Sequence, residues 1–200
     1  MEILYLDDQI VVCVKPVGIS SEDGENSLPA LLRQQLGGEL FTLHRLDLNV
    51  GGVMVYARTK AAAARLSKAI QDGSMVKEYR CLVHGTPPES GDWQDLLWKD
   101  SSKNKVFTVK RMRKGVKSAR LEFQRLTEGE NSLVHVRLHT GRSHQIRVQF
   151  SSRGFPLVGD HKYGARDELD APLLFSCRIS FPYRGKTAMF EHYPQWGKTE

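Results

Sequence analysis

His44-Arg45-Leu46-Asp47 is the stretch of this chain that says most about its fold and chemistry. A second polar cluster lies far downstream, at Thr140-Gly141-Arg142-Ser143-His144-Gln145-Ile146-Arg147. If folding brings the two together, they provide an Asp–Arg pair, which keeps a carboxylate ionised inside a pocket. An ionised, oriented carboxylate can attack a sugar carbon or stabilise a cation that forms there.

Further motifs surround these two clusters in a fixed order. Lys15-Pro16-x-Gly18 follows an apolar run near the start, and Lys77-Glu78-Tyr79 begins a predicted strand that leads to Val83-His84-Gly85. The arginine cluster is followed by Gly154-Phe155-Pro156-Leu157-Val158-Gly159-Asp160-x-x-Tyr163-Gly164. Taken together, these motifs span nearly the whole chain, which resembles the RluA-type family of pseudouridine synthases.

The resemblance implies an enzyme that converts uridine to pseudouridine in structured rRNA or tRNA, without a cofactor or a metal ion. It implies that Asp47 is the catalytic carboxylate, which acts on sugar C1′ directly or through a glycal-type intermediate. Arg147 matches the arginine that pairs with this carboxylate, and its rigid fork can hold both oxygens. Tyr79 matches a tyrosine that stacks on the extruded base and assists removal of the C5 proton, although a tyrosine in an apolar strand is also typical of a core.

Other basic residues are candidates for binding the RNA. Arg45 can fill the gap that an extruded base leaves, and His44 is expected to orient the same loop. Arg142 is expected to bind a phosphate or to brace its turn. The basic segment, defined as residues 99–117, has eight basic side chains against one acid and is either an RNA-gripping hairpin or a solvated edge. Its members predicted to bind RNA are Lys110, Arg111 and Arg113.

The composition bounds these expectations. The 200 residues are 40% hydrophobic, which is enough for a core, and the net charge of +6 favours a polyanionic partner. Cys13, Cys81 and Cys177 have neither disulfide-framework nor zinc-ligand spacing. No stretch has the length of a membrane span. We therefore expect a cytoplasmic protein, a monomer whose partner is RNA and not a membrane.

The hydrophobic periodicity predicts many strands and few helices. Strands are predicted at residues 3–6, 10–14, 53–57, 76–83, 106–110, 119–126, 133–139, 173–181 and 186–190. A first helix is predicted from a Ser27 cap to Leu36, with Leu28, Leu31, Leu32 and Leu36 inside. Others are predicted from a Thr59 cap to Gly73 and over 143–152.

Several strands are expected to form hairpins, among them 3–6 with 10–14 and 106–110 with 119–126. We predict an α+β fold with a large mixed, mostly antiparallel sheet and a few packed helices. It is expected to be a single pseudouridine synthase catalytic domain over 1–200, with no N-terminal RNA-binding module.

One departure from the family leaves alternatives open. After Asp47 and two variable positions the family usually has Thr-Ser-Gly, whereas this chain has Val50-Gly51-Gly52 and so lacks two hydroxyls. One rival hypothesis is an RNA-binding protein that keeps the fold without catalysis. Another is a glycoside-cleaving hydrolase, which would need a second, matched acid that the sequence does not offer.

Overall fold

The computed structural model describes residues 1–197 and has the predicted α+β architecture. The strands are β1 (Ile3–Leu6), β2 (Ile10–Lys15), β3 (Phe41–Thr42), β4 (Gly51–Ala57), β5 (Val76–His84), β6 (Ser90–Asp100), β7 (Lys105–Val109), β8 (Val116–Arg125), β9 (Asn131–Leu138), β10 (Leu174–Tyr183) and β11 (Lys186–Glu191). The helices are α1 (Leu28–Leu36), α2 (Lys60–Gln71) and α3 (Gln145–Ser151). The described residues divide into two compact units, Met1–Lys77 with Phe175–Pro194, and Glu78–Leu174 with the residues from Gln195 onward.

The first unit has the strand order β1-β2-β4-β10, with β3 paired to β4 and β11 to β10. These pairs are antiparallel except for β10, which runs parallel to β4, so the sheet is mixed as predicted. Alternate residues of β4, such as Val53 and Val55, share one face of the sheet. They join Ala62 and Leu66 of α2 in one buried cluster.

Side-chain caps begin both helices of the first unit where the sequence predicts them. The Ser27 hydroxyl accepts a hydrogen bond from the Ala30 N–H at 3.3 Å, and Thr59 Oγ1 accepts one from Ala62 at 3.1 Å. Each cap satisfies an N–H group that has no partner within its helix. Leu31 was expected on the buried face of α1, and this expectation is wrong. Its side chain is 38% exposed and lines a shallow cavity.

The second unit has the strand order β5-β9-β8-β6-β7. Its helix α3 contributes Val148 to a buried cluster with Leu97 of β6, Val106 of β7 and Ala119 of β8. The α3 helix is shorter than predicted, because His144 has a left-handed backbone, with φ of 50°, and the helix begins only after it. The long motif that follows α3 supplies Tyr163 to the same cluster.

The predicted hairpin of 106–110 with 119–126 is wrong. Strand β6 lies between β7 and β8 and pairs antiparallel with both. The sequence of β6 hides it, because Ser90-Gly91-Asp92 and the adjacent Leu96-Leu97 break the strict alternation that reveals a half-buried strand. Part of the basic segment, residues 110–115, therefore connects two strands that flank a third instead of forming a tight turn.

Candidate active site

Asp47 lies in the loop between β3 and β4 of the first unit and is half-buried. Its carbonyl accepts a hydrogen bond from the Val50 N–H at 3.0 Å, which closes a four-residue turn directly before β4. The backbone of Asp47 is therefore fixed by a turn on one side and a fully buried strand on the other. A loop residue held in this way is suited to chemistry that needs a fixed carboxylate.

Ser21 fastens the residue before Asp47. Its hydroxyl donates to the Leu46 carbonyl at 2.9 Å and accepts from the Leu46 N–H at 3.1 Å, so one side chain satisfies both backbone groups. The Tyr56 hydroxyl of β4 donates to the Ser21 carbonyl at 3.0 Å. Ser21, Leu46 and Tyr56 are all buried, so these bonds replace water that cannot reach the loop.

Lys15 is a fully buried lysine at the end of β2. Its ammonium donates to the Leu48 carbonyl at 3.1 Å and to the Pro16 carbonyl at 2.9 Å, and the Gly18 N–H also donates to Leu48 at 2.9 Å. Burial lowers the pKa of Lys15 to about 8, and the negative charge of Asp47 opposes that shift. Lys15 thus places a buried positive charge close to the candidate catalytic carboxylate and anchors the residue after it.

His44 is a neutral positioning residue in this loop. Its Nε2 accepts a hydrogen bond from the Val55 N–H at 3.2 Å, which only an unprotonated nitrogen can do. Burial, followed by the nearby Lys77 charge, lowers the pKa of His44 to about 3. This geometry suits the expectation that His44 orients the loop, whereas its contact with RNA stays a prediction.

Arg45 points its charge to solvent at the surface of the same loop. It pairs with Glu22 at 2.8 Å, and both side chains are more than half exposed. Because water and salt screen such a pair, its net stabilisation is small. An RNA phosphate can therefore replace Glu22 at little energetic cost, which is compatible with the predicted role of Arg45.

The two glycines that stand in place of the family's Ser-Gly allow β10 to approach β4 closely. Gly51 and Gly52 are opposite Phe175 and Ser176 in the parallel register. A Cβ on Gly52 would lie 2.4 Å from the Ser176 carbonyl oxygen, and its φ of 132° disfavours any side chain. A Cβ on Gly51 would lie 3.1 Å from the Phe175 ring. The ring therefore packs closely against Gly51, where the side chain of the family's serine would lie.

Arg147, in α3 of the second unit, forms a bidentate salt bridge with Asp160. Arg147 Nε and Nη2 each donate to one carboxylate oxygen of Asp160 at 2.7 Å, and both side chains are at least nine-tenths buried. The guanidinium also lies 5.1 Å from the centre of the Tyr163 ring. Asp160 and Tyr163 belong to the long motif after α3, so that motif fixes the orientation of Arg147.

Tyr163 also fixes the start of α3. Its hydroxyl accepts from the Val106 N–H at 2.9 Å and lies 2.9 Å from His144 Nδ1, to which it can donate. Tyr163 therefore joins β7, the left-handed residue before α3 and the guanidinium of Arg147. Sequence reasoning assigned Tyr163 no role, although its motif was recognised.

Tyr79 lies in β5 of the second unit and is only 6% exposed. Alternate residues of β5, including Tyr79, Cys81 and Val83, are buried, which is the pattern of a strand with one core face. Burial of this kind agrees both with a core tyrosine and with one wall of a base-binding pocket. Its catalytic role stays a prediction.

The predicted phosphate-binding residues of the second unit are exposed. Lys110, Arg111 and Arg113 lie between β7 and β8, and Arg113 stacks at 5.5 Å over the Trp98 ring. Arg142 lies in the turn before α3, where its Nε donates to the Ser118 carbonyl at 2.8 Å. Arg142 therefore braces the turn, and whether it also binds phosphate remains a prediction.

Known proteins resemble this chain both in sequence and in fold. A sequence model of the RNA pseudouridylate synthase family matches residues 9–152, which include Asp47, Tyr79 and Arg147. The chain belongs to the RNA pseudouridylate synthase family. A human protein described as RNA pseudouridylate synthase domain containing 4 shares the fold, with a TM-score of 0.82 at 23% identity over 98% of this chain and 90% of that one.

Curated relatives of this pseudouridylate synthase family member are more similar in sequence. Ribosomal large subunit pseudouridine synthase D of Zymomonas mobilis is 31% identical over 88% of this chain and 60% of its own length. The same-named protein of Vibrio parahaemolyticus is 32% identical over 83% of this chain and 53% of its own length. An RNA pseudouridine synthase of Aquifex aeolicus, described as uncharacterized, is 33% identical over 96% of this chain and 68% of its own. The chain thus spans just over half the length of the first two.

Besides Tyr163, three positioning residues were assigned no role from the sequence, namely Lys15, Ser21 and Asp160. Lys15 ends a run of buried apolar residues, so a charge at that position was the available signal. Ser21 and Asp160 form hydrogen bonds with residues 25 and 13 positions away. A local sequence pattern does not predict such long-range hydrogen bonds. Within residues 1–197 no cluster of metal-ligating side chains occurs, and no helix there has the length and apolar character of a membrane span.

Proposed function

We propose that this chain isomerises uridine to pseudouridine in structured RNA. The observation that carries the proposal is the family match over residues 9–152, which includes both polar clusters. The names of the Zymomonas and Vibrio relatives favour ribosomal RNA of the large subunit as substrate, with transfer RNA as the alternative. Action as a monomer in the cytoplasm, within a single catalytic domain, completes the proposal.

The reaction breaks the bond from sugar C1′ to uracil N1 and forms a bond from C1′ to C5. The proton leaves C5, and N1 gains one, so the step is an isomerisation without net redox change. Its needs are an anionic group near C1′, a pocket that retains the freed uracil and a route for the C5 proton. Side chains can meet all three needs without a cofactor or a metal ion.

Asp47 is proposed as the anionic group. Support comes from its loop, which Ser21 and Lys15 hold through buried hydrogen bonds on either side of it. The buried Lys15, whose pKa the charge of Asp47 raises against the effect of burial, places its ammonium close to this carboxylate. Both mechanisms, direct attack on C1′ and passage through a glycal, remain compatible with this arrangement.

Arg147 and Tyr79 are proposed to act with Asp47. The two hydrogen bonds from Arg147 to Asp160 support a positioning role, because they hold the guanidinium in one orientation inside the protein. A guanidinium has more than one edge that can hold a carboxylate, so binding Asp160 is compatible with a second acidic partner. Tyr79 is proposed to stack on the extruded uracil, an interaction of about 1–3 kcal/mol.

The proposed RNA-binding surface comprises six residues, of which the five arginines and lysines are proposed to act mainly through phosphates. They are His44, Arg45, Lys110, Arg111, Arg113 and Arg142. All except His44 are exposed, and the neutral state of His44 suits it to positioning the loop. Such contacts give affinity without base identity, so recognition of the target uridine must come from other contacts.

The Asp47→Asn variant tests the proposal and separates it from an RNA-binding protein without catalysis. We expect pseudouridine formation in a large-subunit rRNA transcript to fall by at least about 10³-fold, with melting temperature and RNA affinity unchanged. Asp8→Asn is the matched control, because Asp8 is an exposed turn residue paired with Arg184. A wild-type protein that binds RNA without forming pseudouridine would favour the rival, and an active Asp47→Asn variant would refute the assignment of Asp47.

A further inference from the structure

A small cavity in the second unit has a strongly cationic lining. Its volume is about 160 Å³, and its lining residues are Leu97, Lys99, Val106, Gly115, Lys117, Gly141, Arg142 and Ser143. Leu97 and Val106 are buried members of the core, so they form an apolar floor. The charged residues are exposed and therefore form its rim. Every charged residue of the lining is basic.

The three rim cations come from three different segments. Lys99 lies two positions after Leu97 in β6, and Lys117 of β8 is the register partner of Leu97. Alternation along β6 places Lys99 on the same face as Leu97. Arg142 arrives from the turn before α3, tied to β8 by the bond from its Nε to the Ser118 carbonyl. The positive charges therefore converge through the fold, although 43 positions separate Lys99 from Arg142 in the chain.

The turn that carries Arg142 is firmly braced. The side-chain oxygen of the buried Gln145 accepts from the Arg142 N–H at 3.0 Å and from the Thr140 hydroxyl at 2.8 Å. The Gln145 amide nitrogen donates to the Arg120 carbonyl of β8 at 3.0 Å. Because the turn and β8 are joined in this way, Arg142 and Lys117 keep a fixed relation to the cavity.

No acid neutralises this cluster within residues 1–197. Lys99, Lys117 and Arg142 have no carboxylate within 4.0 Å in that part of the chain, whereas Arg120 and Arg153 of the same unit each pair with an aspartate. Three like charges around one cavity repel each other, and an anion bound there removes that cost. Arg142 can offer a planar fork to two oxygens, and each lysine adds a point charge.

We propose that this cavity binds one backbone phosphate of the RNA substrate. The inference rests on the proposed function, which it deepens by adding Lys99 and Lys117 to the RNA-binding surface. The cavity is large enough for one phosphate group with part of its sugar, and its apolar floor suits the carbon face of that sugar. One shared phosphate means that Lys99, Lys117 and Arg142 act as a unit.

The test compares how RNA affinity depends on salt in two sets of variants. The cavity set consists of Lys99→Gln, the double variant with Lys117→Gln, and the triple variant with Arg142→Gln. The matched control for the double variant is Lys60→Gln with Lys68→Gln, because these exposed lysines of α2 remove the same charge elsewhere. Affinity for a large-subunit rRNA transcript is titrated at several salt concentrations, and melting temperatures verify folding.

Removing the protein's interaction with one phosphate lowers the slope of log affinity against log salt by about 0.7 to 0.9. We expect the triple cavity variant to lower the slope by the amount of a single phosphate, because the three cations share one. The control should change the slope much less than the double cavity variant. A decrease of the slope by about 2 or more in the triple variant would mean that the cations bind separate phosphates. A slope change in the double cavity variant equal to that of the control would mean that the cavity is an ordinary charged surface. Either result overturns the proposal.

Two further measurements separate the possible causes of failure. If sub-millimolar inorganic phosphate raises the melting temperature of the wild type but not of the triple variant, while the triple variant binds RNA with the affinity and salt dependence of the wild type, the cavity is a site for free phosphate and the RNA assignment is wrong. Pseudouridine formation by the wild type reports on the proposed function independently. If the wild type forms pseudouridine and the cavity variants bind RNA as it does, the cavity proposal alone is refuted. If the wild type neither binds nor modifies RNA, both the cavity proposal and the proposed function are refuted.

Discussion

Arg147 holds Asp160 through two parallel hydrogen bonds of 2.7 Å, and the pair lies almost entirely out of contact with water. Thirteen positions separate the two residues, and Asp160 lies in the motif that follows α3. Taking two charges out of water is costly, so a pair of this kind is stable only when the geometry satisfies both partners. The pair therefore makes the orientation of Arg147 sensitive to either residue.

Asp160→Asn is expected to destabilise the protein strongly. The amide cannot balance the buried guanidinium, and breaking a buried pair costs about 3–5 kcal/mol. Urea denaturation of the wild type and the variant measures the difference. Asp92→Asn is the control, because Asp92 makes a similar two-pronged pair with Arg120 at an exposed position. Equal losses of stability in the two variants would show that burial of the Arg147–Asp160 pair is unimportant.

Arg147→Lys is expected to impair the protein although the charge is kept. An ammonium is a point charge and cannot reproduce two parallel hydrogen bonds to one carboxylate. We expect a lower melting temperature and slower single-turnover formation of pseudouridine. The matched control is Arg120→Lys, at the exposed pair with Asp92. Normal melting together with normal turnover would exclude Arg147 from the catalytic machinery.

Local signals explain which elements the sequence could predict. The β1–β2 hairpin and the caps of α1 and α2 follow from patterns a few residues long, and the structure has them at the predicted positions. Strand β6 was missed because its pattern is irregular, and the supposed hairpin between its neighbours failed for that reason. Pairing depends on which strand fills the space between two others, which a local pattern cannot encode.

In the candidate site, too, some residues could be predicted from the sequence and others could not. Asp47, Tyr79 and Arg147 were proposed because the motifs that contain them resemble those of the pseudouridine synthase family, and their roles stay predictions. Asp160 as the partner of Arg147 could not be deduced, since any acid in a later segment could have served. The buried Lys15 also depends on the folded environment, because a sequence does not reveal that its ammonium is bound by two carbonyl groups.

His44 is expected to make the protein less stable in mild acid. Its pKa is lowered from 6.5 to about 3 in the folded state, so between these pH values the unfolded state binds more protons. Stability is therefore unaffected above pH 6.5 and falls as the pH drops below it. Between pH 7 and pH 5 the loss from this one residue is about 2 kcal/mol.

The comparison with His44→Gln isolates this effect. Glutamine can accept from the Val55 N–H but does not titrate, so its stability should fall less between pH 7 and pH 5. Guanidinium denaturation at pH 7, 6 and 5 gives both curves, and His161→Gln serves as the control at an exposed histidine. Parallel curves for the wild type and His44→Gln would mean that the fold does not hold His44 neutral.

Gly51→Ser restores one of the missing family hydroxyls and is expected to destabilise this chain. The new Cβ would lie 3.1 Å from the Phe175 ring and 3.2 Å from the Lys15 carbonyl oxygen, closer than ordinary packing allows. Overpacking of this kind costs about 1–3 kcal/mol. Gly24→Ser is the control, because a Cβ on Gly24 meets nothing within 4 Å.

Removing the Phe175 ring should reduce the cost of Gly51→Ser without abolishing it. Phe175→Ala removes the ring that the new Cβ would contact, whereas the Lys15 carbonyl oxygen belongs to the β2 backbone and remains 3.2 Å from that Cβ. A double-mutant cycle on the free energies of unfolding measures this coupling, which for residues in contact is about 0.5–3 kcal/mol. If Gly51→Ser costs the same in both backgrounds, Phe175 does not compensate for the absent serine. The departure from the family pattern would then depend on Lys15 and the β2 backbone alone.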